Sequence, residues 1–133
     1  MCGLMVLVVL ETAGCGAATG SVKMNELQRV TAGALDIILL SDHDALRHGK
    51  DAFRIEFKSK SDGALVDVGN VRVTAYMPMP GMAMFGNIDV QRTDVPGQYQ
   101  ANGQFDMAGT WRKTVEWDWP AGPGSVTFSG AVQ

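Results

Sequence analysis

Five of the eight methionines in this chain fall in two short segments: Met77, Met79, Met82 and Met84 in the run MPMPGMAM, and Met107 in MAGTW. Thioether sulfur is a soft ligand, and soft ligands select Cu(I) among the common biological metals. Pro78 and Pro80 disfavour regular ladder pairing and Gly81 permits a sharp reversal, so the run reads as a strand end leading into a loop. Met77 is in phase with Val73 and Ala75 and is expected in the core. Met79, Met82 and Met84 are left on loop or strand-edge positions, and Met107 lies in a second turn, Asp106–Gly109. The sulfurs converge only if both turns lie at the same end of the domain. Two other readings of the same residues stay open. Methionine fills irregular gaps in cores, and a Met-Pro loop is also an adaptable contact surface for another protein.

The remaining polar residues offer less. Asp42, His43 and Asp44, with His48 nearby, carry metal-ligating groups, but nothing at matched spacing completes a set, and the segment reads as a solvated loop. Neither histidine has a serine or carboxylate in a triad pattern, and no glycine-rich phosphate loop precedes a helix. The chain is therefore not expected to be an enzyme. The net charge is −3 and the basic residues are scattered, which argues against a nucleic-acid partner.

The elements that would position the methionines are strands. A chain of 133 residues is long enough for one core. Leu35–Leu40 is a short apolar run. Phe53, Ile55 and Phe57 alternate with charge, and Val71, Val73, Ala75 and Met77 share a face. Ile88 and Val90 continue the pattern. Tyr99, Ala101, Gly103 and Phe105 follow, then Trp111, Lys113, Val115, Trp117 and Trp119, then Val126 and Phe128. Ser61-Asp62-Gly63 and Pro96-Gly97 are turn signals. About seven short strands divided by turns predict an all-β fold, an antiparallel β-sandwich over 34–133. Trp111 and Phe105 are expected core anchors, and Tyr99 a corner residue whose hydroxyl bonds backbone. Lys113 falls on the apolar face by parity, which suggests a bulge or a domain edge there.

The N-terminus reads differently. Gly3–Leu10 is apolar but too short to span a bilayer as a helix, and it runs into Thr12-Ala-Gly-Cys15. Residues 1–15 read as an export signal whose end resembles the lipobox of bacterial lipoproteins, with Cys15 as the lipidated residue. Removal of the leader takes Cys2 with it and leaves no cysteine in the fold, which excludes disulfides and thiolate metal sites. Residues 16–33 read as a flexible tether, within which Glu26–Val30 has the composition of a helical turn.

The segments DAFRIEF, SDGALVDVGNVRVTAYMPMPGMAM and PGQYQANGQFDMAGTWRKTVEW together resemble the YtkA-like/FixH-like domain family, from about Gly49 to Val132. The resemblance rests on a D-G turn, a strand ending in a Met-rich loop, a P-G-x-Y turn and an M-x-G-x-W turn, in that order. It implies a small bacterial Ig-like β-sandwich outside the cytoplasm or attached to a membrane. It also implies a neighbourhood of copper handling, heavy-metal efflux or oxidase assembly. The Met loop here lacks the histidine often interspersed in the family, which favours a Cu(I) thioether site over a Cu(II) imidazole site. The expectation is an exported, lipid-anchored domain of the cell envelope, held to the bilayer by its N-terminus. It would handle Cu(I) through Met79, Met82, Met84 and Met107, with Met77 in support, for a membrane or metal-transport partner. The alternative is a metal-free interaction module of a membrane complex.

Overall fold

The computed structural model describes residues 24–133. It is built entirely from antiparallel strands: β1 (Asn25–Ala32), β2 (Leu35–Ser41), β3 (Gly49–Ser59), β4 (Val71–Met79), β5 (Met82–Arg92), β6 (Gln98–Phe105), β7 (Gly109–Trp117) and β8 (Gly124–Val132). The pairing order is β1-β2-β3-β6-β5-β4-β7-β8. β5 belongs to both layers of this Ig-like sandwich. Its first half, through Gly86, pairs with β4, and its second half, from Asn87, pairs with β6. Gly86 stands at the crossing with Ala75 Cβ and the Trp111 ring each 3.5 Å from where its own Cβ would be. A larger residue would push the two layers apart at the corner.

Alternation decides which face of each strand is dry. On β3 Phe53, Ile55 and Phe57 are fully buried, beside Tyr99, Ala101 and Phe105 of the neighbouring β6 and in one core cluster with Trp111, Val115 and Trp117 of β7. The Phe57 ring meets Tyr99 and Trp117 edge to face at 5.5 and 5.3 Å, and Phe105 meets Trp111 at 5.3 Å. Both expected anchors, Phe105 and Trp111, are at zero exposure.

Tyr99 is the corner residue the sequence predicts. Its hydroxyl donates to Gly69 O at 2.8 Å and accepts from Val68 N–H at 3.3 Å, tying the β3–β4 connection to β6. Tyr99→Phe leaves that buried N–H and carbonyl without their partner. The expected cost is about 1–2 kcal/mol of unfolding free energy, read from urea denaturation.

Four expectations need correction. The expected all-β sandwich has an eighth strand, because the end of the expected flexible tether is β1. Residues 25–32 pair with β2, and Glu26–Val30 is extended rather than a helical turn. The register shifts between Glu26 and Gln28, so Leu27 is an extra residue and the period of two is broken. That bulge hid the strand. Lys113, in contrast, sits in a regular ladder, paired with Ala75 on one side and Phe128 on the other, with neither bulge nor edge. Trp119 is exposed, whereas its parity with Trp117 points inward. β7 ends at Trp117, and the Trp119 N–H bonds Val68 O at 3.2 Å, which takes the chain out of the ladder before Pro120. The leader 1–15, Cys15, and residues 16–23 of the tether lie outside the described residues.

Candidate functional site

The Met-rich run is a strand hairpin, not a loop. β4 and β5 pair through Pro78↔Ala83 to Met79↔Met82, leaving only Pro80 and Gly81 as the turn. Proline supplies the φ of the first central position, and Gly81 adopts φ 77°, which side chains resist. Pro78 costs no ladder bond to β7, because that pairing already ends at Tyr76↔Arg112. The expected disruption by proline therefore does not occur.

Tight closure has a direct consequence for the sulfurs. Residues opposite each other in an antiparallel pair share a face, and so do residues two apart along a strand. Met77 opposes Met84 and Met79 opposes Met82, so the four side chains form a two-by-two block on one face of the hairpin. Burial grades across the block. Met77 is buried, Met84 half-buried against the core, Met79 exposed, and Met82 is 67% exposed at the tip. The block joins the core at one end and water at the other.

Met107 lies at the same end of the sandwich. β4 and β7 run side by side, which brings Met77 next to the start of β7. A Cβ on Gly109 would stand 2.5 Å from Met77 Sδ, so the absence of a side chain there lets the sulfur pack on the backbone. Two residues earlier, Met107 is half in solvent, and its carbonyl accepts the Trp111 indole N–H at 3.0 Å. The most buried side chain of β7 thus anchors the turn that carries Met107. All five methionines named from the sequence are gathered at one end, Met77 at the base and the others toward solvent.

The reverse face of the hairpin carries a feature the sequence reading passed over. Phe85 is 74% exposed and its ring lies beside that of Tyr76, tilted by 39° with centroids 6.5 Å apart. Arg112 lies 5.8 Å from the Tyr76 ring centroid and donates to its hydroxyl at 3.0 Å. The available signal was parity: Tyr76 and Phe85 are out of phase with the inward residues on their strands. The hairpin thus presents thioethers on one side and aromatics with a cation on the other.

The histidine segment forms no comparable site. His48 Nδ1 lies 3.0 Å from Gln133 O, and His43 Nε2 lies 3.4 Å from Asp42 Oδ1 on the surface. Among the described residues no three His, Cys, Asp or Glu side chains gather as a metal set. Asp67 is held below the usual carboxylate range by the Gly69 N–H, assisted by Arg92 and Tyr99, and belongs to the Tyr99 corner.

No curated protein and no solved structure matches the chain. A family model described as YtkA-like matches residues 31–116. The matched stretch runs from the end of β1 nearly to the end of β7 and contains the Tyr99 corner, the hairpin and the Met107 turn. By that match, the chain belongs to the YtkA-like family.

Proposed function

We propose that this domain binds Cu(I) in the bacterial envelope, through Met79, Met82, Met84 and Met107 with Met77 as the buried support. The observation that carries the reading is the cross-strand block of methionines, graded from core to solvent, with a fifth methionine at the same end. Neutral thioethers suit a soft monovalent ion and are poor ligands for Mg or Ca. Exposed sulfurs also suit exchange, since an incoming ligand reaches the ion at the tip without opening the core. The role is non-catalytic: holding the ion and passing it to a membrane or metal-transport partner. The export signal and lipidation at Cys15 would keep the domain at the membrane surface.

Competition with a coloured Cu(I) chelator under reducing conditions tests the ligand set. Changing Met79, Met82 and Met84 to Leu keeps apolar bulk and removes sulfur, and is expected to weaken Cu(I) binding by about two orders of magnitude or more. Circular dichroism should remain that of the folded wild type. Equal binding by the Leu variant would discard these ligands.

A second reading has its own observation. The exposed Phe85, beside Tyr76 and Arg112, is suited to a metal-free protein contact on the reverse face. Under that reading Phe85→Ala abolishes capture of a membrane partner while Cu(I) affinity and the Leu variant are immaterial to it.

A further inference from the structure

The inward row of β8 is Val126, Phe128, Gly130 and Val132, and the glycine leaves a gap in it. Gly130 is opposite Trp111 in the ladder, and Phe128 is opposite Lys113. A Cβ on Gly130 would meet nothing closer than the Gln28 amide at 3.4 Å. Across this gap β1 approaches β8, and Gln28 Nε2 donates to Ser129 O at 2.7 Å to close the seam. Beside the seam lies a half-open cavity of about 200 Å³, lined by Leu27, Gln28, Leu39, Leu46, Gly130 and Lys113, with the exposed Asp44 at its edge.

Lys113 is the unexplained group here. The residue is 2% exposed and makes no hydrogen bond or ion pair with any described residue, while its amine nitrogen stays open to solvent; the fully enclosed side-chain nitrogen without a partner among the described residues is Arg54 Nε. Asp44 lines the same cavity but lies beyond ion-pair distance. Burial is the sole cause lowering the amine's pKa, to about 8. An ammonium held at the base of a half-open cleft on a buried stem is partly desolvated, and regular packing would place an apolar residue in that ladder position. The space beside it has apolar walls at Leu27, Leu39 and Leu46, with Gln28 and Asp44 also on its lining, and is large enough for a ligand. An apolar cavity of about 150 Å³ takes benzene, so this one takes roughly six to nine heavy atoms.

We infer that the cavity beside the β1–β8 seam is a binding site for a small aliphatic carboxylate. Its charged end pairs with the Lys113 amine and its hydrocarbon lies against Leu27, Leu39 and Leu46. The ligand supplies the two things the site lacks, a counter-charge for the lysine and apolar atoms for the void. The site shares no lining residue with the methionine block, although Gly130 and Ala131 pair with Trp111 and Thr110 near the Met107 turn, and it does not depend on copper.

Hexanoate and 1-hexanol, titrated into the full chain by calorimetry, test the inference. Both are expected to bind in a one-to-one ratio, and hexanoate should raise the titration midpoint of the Lys113 ε-carbon resonance. Lys113→Met should weaken hexanoate by about tenfold or more and leave 1-hexanol within about threefold, because only the charged contact is lost. Gly130→Val keeps the lysine and fills the void, and should abolish both. Two results overturn the inference: no saturable hexanoate binding to the wild type up to about 10 mM, or equal hexanoate affinity in the wild type and Lys113→Met. Should Lys113→Met not fold, unchanged hexanoate binding by Gly130→Val overturns it instead.

Discussion

Lys113→Met is expected to stabilise the protein by about 3 kcal/mol at pH 7, an unusual direction for a substitution in a core. The lysine amine titrates near 10.5 in the unfolded chain and near 8 in the fold, where burial alone opposes its charge. Between those two values the unfolded state holds the proton and the folded state has released it. Stability of the wild type therefore rises with pH across that window. Below pH 8 both states are protonated and the full penalty of burying the charge applies. Above pH 10.5 neither is, and the penalty is gone. Methionine has a similar length, no charge, and a flexible chain that fits the space between Trp111 and Val115. Urea unfolding of both proteins at pH 7, 9 and 10.5 gives the comparison. The advantage of the methionine variant should be largest at pH 7 and shrink toward zero at the highest pH. Differencing the two proteins cancels the other groups that titrate there. An advantage that does not change with pH would mean that the charge is not what the fold opposes.

Trp111→Ala is expected to cost about 3–5 kcal/mol, a large share of the stability of a domain this size. Trp111 is fully buried, packs edge to face on Phe105, and reaches the strand crossing at Gly86. Removing it opens a void where the two layers share β5. The same residue also holds the Met107 turn through its indole N–H. Trp111→Phe separates the two roles. It retains most of the apolar contact and loses the hydrogen bond, for an expected loss of about 1–2 kcal/mol. The Met107 methyl resonance should narrow and shift toward its position in an unstructured chain. Under the proposed metal reading, Cu(I) affinity falls in Trp111→Phe while the Met79, Met82 and Met84 positions are untouched. A Met107 resonance unchanged by Trp111→Phe would show that the indole bond does not hold the turn.

The two substitutions differ in sign for one physical reason. Trp111 and Lys113 occupy successive inward positions of the same strand, in the same unbroken ladder. One fills its space with apolar atoms and places its only polar hydrogen on a carbonyl. The other carries a charge into its space, with no hydrogen-bond partner there among the described residues. Strand geometry sets where both side chains point. Chemistry decides whether arriving there stabilises.

Much of this protein is legible in its residues because β-structure is written in a period of two. The inward rows of β3, β4, β6 and β7, the corner role of Tyr99, and the turns at Asp62-Gly63 and Pro96-Gly97 follow from alternation and turn chemistry alone. Where alternation is interrupted, the reading fails. The bulge at Leu27 disguised β1 as a tether, and parity carried Trp119 inward after the chain had already left the ladder. The methionines show the same division. Their soft-donor chemistry and the burial of Met77 are properties of residue type and phase. Their arrangement is not, because it depends on a register that only pairing sets. Proline in the run suggested an open loop, and the absence of a β7 partner beyond Tyr76 allowed a closed hairpin instead. That closure placed Met79 opposite Met82 and Met77 opposite Met84. The adjacency of β4 and β7 then brought the Met107 turn to the same end. Residue identity determined which atoms are available for chemistry. Contacts between strands distant in sequence decided which of those atoms are neighbours, and that is why a gap at Gly130 and a charge at Lys113 become one cavity only in the folded chain.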